Sequence, residues 1–317
     1  MNKLKNRSLV LNSNNTSVTR EQIRAYFHQT SDLYENLYQT LKNDEAYYVK
    51  PIHLRHPLIF YYGHTNTFFI NKLILAGLIT KRLNPKFESM FAVGVDEMGW
   101  DDVNEKNYHW PSPAEVKAYR ASVRLVVDEL ISTIPLDLPI NWESQWWPIL
   151  MCIEHERIHL ETSSVLIRQH ALHYIQPLAD WAPCRGNDTI APINSLVNIP
   201  KKDIHLNKST EYYGWDNEYG EFKTHCSAFQ AAKYLTSNVE FLAFVEAGGY
   251  QMDQYWQEEG LAWKQYTQAR HPTFWLKKGD IWQLRLMAEE VNMPWSWPVE
   301  VNYHEAKAFC QIGRAHV

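Results

Sequence analysis

The segment His155-Glu156-Arg157-Ile158-His159 has the residue types and spacing that most directly point to chemistry. Histidines four apart lie one turn apart on one helix face, so both imidazoles can reach one ion. The spacing H-E-x-x-H is also that of zinc peptidases, in which Glu156 would act as general base. The extended peptidase motif needs a glycine and a third histidine beyond His159, and those positions here are Thr162 and Val165. A glutamate ligand on a following helix is hard to place, because the pattern turns irregular after Pro177. The metallopeptidase reading therefore stays as an alternative. Another third ligand is His64, in Tyr62-Gly63-His64-Thr65-Asn66-Thr67, in mid-course of a helical run. Gly63 beside it is expected to leave space for an ion. Three neutral histidines leave positions open on an octahedral ion and leave its charge uncompensated, which favours an anionic thiolate. Glu161 falls roughly opposite His159 on the helix and is not expected to ligate.

The elements that must position these residues are helices. Thr19 with Gln22 fits a capping box, followed by Ile23, Tyr26, Phe27, Leu33, Tyr34, Leu37, Tyr38 and Leu41 at helical spacing. Pro57 opens a second run that closes near Gly77, and a loop is expected from Asn84 to Pro111. Ser112, Pro113 and Glu115 start a third helix with the stripe Val116, Tyr119, Val123, Val126 and Leu130. The segment Pro135 to Pro139 breaks it, and a fourth helix runs from about Trp146 to His170. A bundle can set its second and fourth helices side by side and hold a metal between them.

Beyond Pro177, prolines, asparagines and short apolar runs replace the long periodic stretches. Short strands are expected around Ser195–Ile199 and Glu221–Ala228, and helices over Asn238–Ala247 and from Tyr303 to Cys310. The predicted fold is an all-α four-helix bundle over 1–178, a linker over 179–194 and a loop-rich α+β domain over 195–311. Residues 312–317 resemble a sequencing adapter read as codons, so they are set aside and the natural protein is expected to continue beyond Gln311.

Composition narrows the partners. The chain has 317 residues and a formal net charge of −5, which disfavours a protein built to bind nucleic acid. No run approaches the ~18 apolar residues of a membrane span, and no apolar signal segment follows the basic start. Four scattered cysteines without C-x-x-C spacing suit a reducing cytoplasm. The 13 tryptophans, 18 tyrosines and 12 phenylalanines predict aromatic-rich cores.

Pro57 to Phe69 (PLIFYYGHTNTFF) together with Ile153 to Glu161 (IEHERIHLE) resembles the DinB-like helix bundle of the sulfoxide synthases. These are non-haem iron enzymes of thiol-histidine biosynthesis, with one distant histidine plus H-x-x-x-H-x-E. Trp215-Asp216-Asn217-Glu218, Glu240 to Tyr250, Tyr255-Trp256, Trp263, Pro298-Val299 and Tyr303 to Ala306 resemble the start of a formylglycine-generating-enzyme-like (sulfatase-modifying-factor, C-type-lectin-like) domain, here incomplete. The resemblance implies Fe(II) held by His64, His155 and His159, with O2 as co-substrate. It also implies a catalytic tyrosine from the second domain, expected beyond Gln311; Tyr250, Tyr255 and Tyr303 are not assigned that role.

Two branches of the family compete. The texture of His53–Leu75 and Phe87–Asp102 is most similar to the ovothiol branch, which joins cysteine to histidine as 5-histidylcysteine sulfoxide. The alternative is the ergothioneine branch, which acts on hercynine with γ-glutamylcysteine or cysteine. Asp96 and Glu97 lie in an acidic loop without arginine, suited to the ammonium groups of free amino acids.

Overall fold

The computed structural model describes residues 8–92, 108–183 and 190–313. They fall into two compact units, 1–182 with 206–222, and 183–205 with 223–317.

The first unit is helical: α1 (Thr16–Tyr38), α2 (Glu45–Tyr48), α3 (Leu58–Leu75), α4 (Pro85–Met90), α5 (Pro113–Thr133) and α6 (Trp147–Gln169). α1 starts a turn earlier than the expected Thr19–Gln22 box. Asn15 caps it, accepting from the Val18 N–H at 3.0 Å, while the Thr19 hydroxyl bonds back to the Asn15 carbonyl at 2.8 Å. The expected stripe from Ile23 to Leu41 is buried. α3 buries residues on all its sides, from Leu58 to Leu73, as the central helix of a bundle must. It ends before Gly77, whose φ of +70° only glycine adopts freely.

The expected loop from Asn84 to Pro111 contains α4. Its signal was local: Asn84 accepts from the Phe87 N–H at 3.1 Å and Pro85 takes the first turn. Six residues are too few to show a period. The α5 capping box is present, with Ser112 accepting from the Glu115 N–H at 3.3 Å and Glu115 from the Ser112 N–H at 2.8 Å. Its inner face is Val116, Tyr119, Arg120, Val123, Val127 and Ile131; Val126 and Leu130 lie at the edge, half-buried. The stripe turns one residue further because Arg120, by type a surface residue, is inside.

Gly63 does not face open space beside an ion. A Cβ there would lie 2.5 Å from the Phe91 ring, which is fully buried against α3. The glycine admits the residue that closes α4. The segment 206–222 groups with this unit: the Leu11 N–H donates to the Glu211 carbonyl at 2.8 Å, and the Tyr213 ring lies 4.9 Å from Trp147.

The second unit holds α7 (Asn238–Glu246), α8 (Glu258–Thr267), α9 (Tyr303–Gly313) and small sheets. β1 (Leu196–Ile199) pairs antiparallel with β4 (Phe229–Ala232), and β5 (Trp275–Lys278), β6 (Ile281–Arg285) and β7 (Glu290–Asn292) form an antiparallel trio. β2 (Lys202–Asn207) pairs with β3 (Glu221–Cys226), and the chain changes unit within each. One core gathers Phe241, Phe244, Tyr250, Trp256 and Ala308; another gathers Trp275, Leu284 and Met293. No helix among the described residues is long and apolar enough to cross a membrane.

Gly63→Ala forces its Cβ into the Phe91 ring. Overpacking of this kind costs about 1–3 kcal/mol, and the expected outcome is a urea midpoint lowered by that free energy divided by the m-value, with the m-value unchanged.

Candidate metal centre

α3 and α6 bring His64, His155 and His159 together, each offering a ligand atom, with those atoms within 4.8 Å of one another. Ring centroids are 5.1 Å (His64–His155), 4.7 Å (His64–His159) and 4.5 Å (His155–His159) apart. Neighbouring nitrogens bound at about 2.1 Å to one ion lie roughly 3–4 Å apart, so a small closure of the side chains completes the set. Among the described residues this is the one such cluster of histidine, cysteine and carboxylate side chains.

The surroundings fit a cation. The Nδ1 atoms of His155 and His159 are buried and have no hydrogen-bond partner, an arrangement that is costly unless an ion is bound nearby. Burial lowers the pKa of both rings, helped by the charge of His64 at both and by that of His159 at His155. His159 is held at about 3 and His155 lies lower still. Both are therefore neutral ligands at neutral pH. His64 Nδ1 lies 2.7 Å from the Phe91 carbonyl, which can only accept; a proton is thus on Nδ1, and Nε2 is the nitrogen left to face an ion. Aromatic rings wall the cluster: Phe68 stacks on His155 at 3.6 Å, Phe60 on His64 at 5.3 Å, and Tyr61 lies 6.1 Å from His159.

A buried ionic network stands behind the cluster. Arg120 on α5 donates to Glu35 on α1, to Glu156 on α6 at 2.9 Å, and to the Tyr62 carbonyl and Thr65 hydroxyl on α3, each at 2.8 Å. Burial opposes the guanidinium charge, but Glu35 and Glu156 outweigh it and raise its pKa. Burial raises the Glu156 pKa, with Arg120 opposing. This placement weighs against the peptidase alternative, in which Glu156 would be the general base: its carboxylate accepts from Arg120 at 2.9 Å and from Thr65 at 3.2 Å. Thr162, Val165 and Glu161 are exposed.

Asp96 and Glu97 lie outside the described residues. In the second unit, Tyr250 donates to Glu305 at 2.5 Å within the core, while Tyr303 is exposed. Sequence reasoning missed Arg120 and Glu35. The available signal was an arginine four residues after Val116, on the apolar face of α5. No sequence signal marks the Phe91 carbonyl, because it is backbone.

Two outcomes follow. Unfolded histidines titrate near 6.5, so below that pH the unfolded chain binds more protons than the folded one. The histidine contribution to metal-free stability is complete above about pH 6.5 and falls toward pH 3, by up to about 1.4 kcal/mol per pH unit per histidine. His159→Gln should flatten this slope between about pH 6 and pH 4 in urea titrations. Glu156→Gln should retain metal binding while losing about 1–3 kcal/mol of stability; loss of metal with the fold intact would return Glu156 to the ion.

Residues 26–163 match the DinB superfamily. The chain is 26% identical over 201 residues to hercynine oxygenase of Mycolicibacterium thermoresistibile, covering 62% of this chain and 42% of that protein. It is 26% identical over 234 residues to hercynine oxygenase of Mycolicibacterium smegmatis, covering 71% and 52%. Ergothioneine biosynthesis protein 1 of Neurospora crassa is 26% identical over 217 residues, covering 62% and 24%. The chain thus spans about a quarter to a half of the length of these relatives. Its N-terminal unit is a DinB-like helical domain, followed by a region of small antiparallel sheets.

Proposed function

We propose that the chain carries the iron-holding unit of a non-haem, O2-dependent sulfoxide synthase, which joins a thiol sulfur to an imidazole carbon. The observation that carries this reading is the neutral three-imidazole cluster between α3 and α6 of a DinB-like unit. The similarity to hercynine oxygenases supports it. The atoms balance: thiol, imidazole C–H and dioxygen give the C–S sulfoxide and one water.

His64, His155 and His159 would hold Fe(II), which when bound activates O2 and acidifies a thiol. The chain's own residues do the rest. Three neutral imidazoles leave the ion's charge uncompensated and so favour an anionic thiolate as ligand. The Phe91 carbonyl orients His64. Phe60, Phe68 and Tyr61 limit water around the rings. Arg120 ties the residues next to His64 and His155 to one cation, which holds the two helices in register and supports close placement of the reactants.

The substrates of the first reading are cysteine and free histidine, giving 5-histidylcysteine sulfoxide, on the resemblance of His53–Leu75 to the ovothiol branch. A second reading takes hercynine with γ-glutamylcysteine or cysteine, and the names of the relatives favour it. The acceptors differ at one group, an ammonium against a trimethylammonium. The second unit is read as the start of a formylglycine-generating-enzyme-like domain, and the setting as cytoplasmic.

The test begins with anaerobic Fe(II) loading and the spectrum of the nitric-oxide adduct. Wild type should bind iron and His64→Ala should lose it; Zn(II) held equally by both would favour the peptidase. Full-length protein is then given cysteine or γ-glutamylcysteine with histidine or hercynine under oxygen. Sulfoxide from histidine supports the first reading, sulfoxide from hercynine alone the second, and none from either sinks both.

A further inference from the structure

We propose that Trp110 and Tyr108 form an electron relay that protects the three-histidine cluster when dioxygen is consumed without substrate. This rests on the iron- and O2-dependent reading above. The starting observation is a continuous set of ring contacts leading away from His64. His64 stacks on Phe60 at 5.3 Å and 16°, and Phe60 meets the Trp110 indole edge-on at 6.1 Å. A second path uses Phe91, whose carbonyl accepts from His64 at 2.7 Å and whose ring stacks on Trp110 at 6.0 Å and 17°. Trp110 in turn stacks on Tyr108 at 4.6 Å and 8°. Both end residues are half-buried, so the path runs from the buried cluster to the protein surface.

The chemistry selects this route over the nearest oxidisable ring. Tyr61 lies 6.1 Å from His159, but the charge of the Arg55 guanidinium acts on its hydroxyl. A guanidinium has only donors, so it cannot take the phenolic proton, and its charge opposes a cation radical. An indole can lose an electron while keeping its proton for a time. A phenol gives up its proton as it is oxidised. The relay step therefore balances. Each passage moves one electron from Tyr108 by way of Trp110 toward the dioxygen being reduced and one proton from Tyr108 to solvent; four passages, with four protons taken back from solvent, carry one O2 to two waters. A soluble thiol then returns one electron and one proton to Tyr108, and two such thiols end as a disulfide. Without such a route, the equivalents would be spent on the imidazole ligands and their neighbours.

The experiment reads covalent damage and radicals, not turnover. Protein loaded with Fe(II), with occupancy checked by its nitric-oxide adduct, is exposed to dioxygen without thiol, digested and analysed by mass spectrometry. In wild type, added oxygen atoms should concentrate on Tyr108 and Trp110. Freeze-quenched samples should show an organic radical by electron paramagnetic resonance. Trp110→Phe and Tyr108→Phe keep the ring packing, which matched melting curves would check. In Trp110→Phe the radical should be lost and the oxidation should move to His64, His155, His159 or Tyr61; in Tyr108→Phe both radical and oxidation should be confined to Trp110 and those residues. The capacity to rebind Fe(II) after repeated oxygen exposure should then fall faster than in wild type. Identical damage in wild type and variants, with iron bound and oxygen consumed, would overturn the relay and leave the proposed function standing. Failure of wild type to bind iron would overturn both.

Discussion

One buried cation sets the geometry of the helical unit. Arg120 is 2% exposed, and a charge so placed must be paired and fully hydrogen-bonded to be tolerated. Its partners come from α1, α3 and α6, and it stands on α5. The Tyr34 and Tyr62 rings lie against the guanidinium at 4.8 and 4.9 Å. Tyr62 also donates to Glu35 at 2.7 Å, so the second carboxylate is held in turn. Apolar packing alone would tolerate small slips between helices. A planar guanidinium with fixed donors does not.

The consequence for the site is a division of labour along each helix. Successive helical residues point about 100° apart. On α6, His155 and His159 reach the cluster while Glu156 reaches Arg120. On α3, His64 reaches the cluster while Thr65 bonds both Arg120 and Glu156. The imidazoles and the groups that bind Arg120 are thus one residue apart in sequence but serve different neighbours. The H-E-x-x-H string is compatible with two chemistries, and the direction of its glutamate separates them.

The second unit is organised differently. Its sheets have two or three strands, too small to stand without packing. Its firm points are caps and aromatic cores. Ser237 and Glu240 box the start of α7, and Asn302 and Glu305 exchange hydrogen bonds at the start of α9. Glu305 also accepts from Tyr250, linking the α9 cap to the Phe241 and Phe244 core. Gly249 lets its backbone meet the Phe244 ring, and its carbonyl accepts from the Trp256 indole at 2.9 Å.

Much of this was legible without coordinates. The long helices, the Ser112 box, the break at Pro135 and the three histidines follow from local rules: capping chemistry, the 3.6-residue period and ligand spacing. These rules act within one or two turns, so the sequence by itself determined them. The short helix at Asn84 and the early start of α1 were present as cap residues without a long period behind them. Tertiary structure decided what depends on distant neighbours. It put Arg120 inside, because Glu35 and Glu156 arrive from other helices to pair with it. It turned Gly63 toward Phe91, because α4 folds back onto α3. It set the proton on His64 through a backbone carbonyl that no side chain announces. Spacing can say that three imidazoles are able to meet. Only the packing of α3 on α6, registered by a shared buried charge, decides that they do.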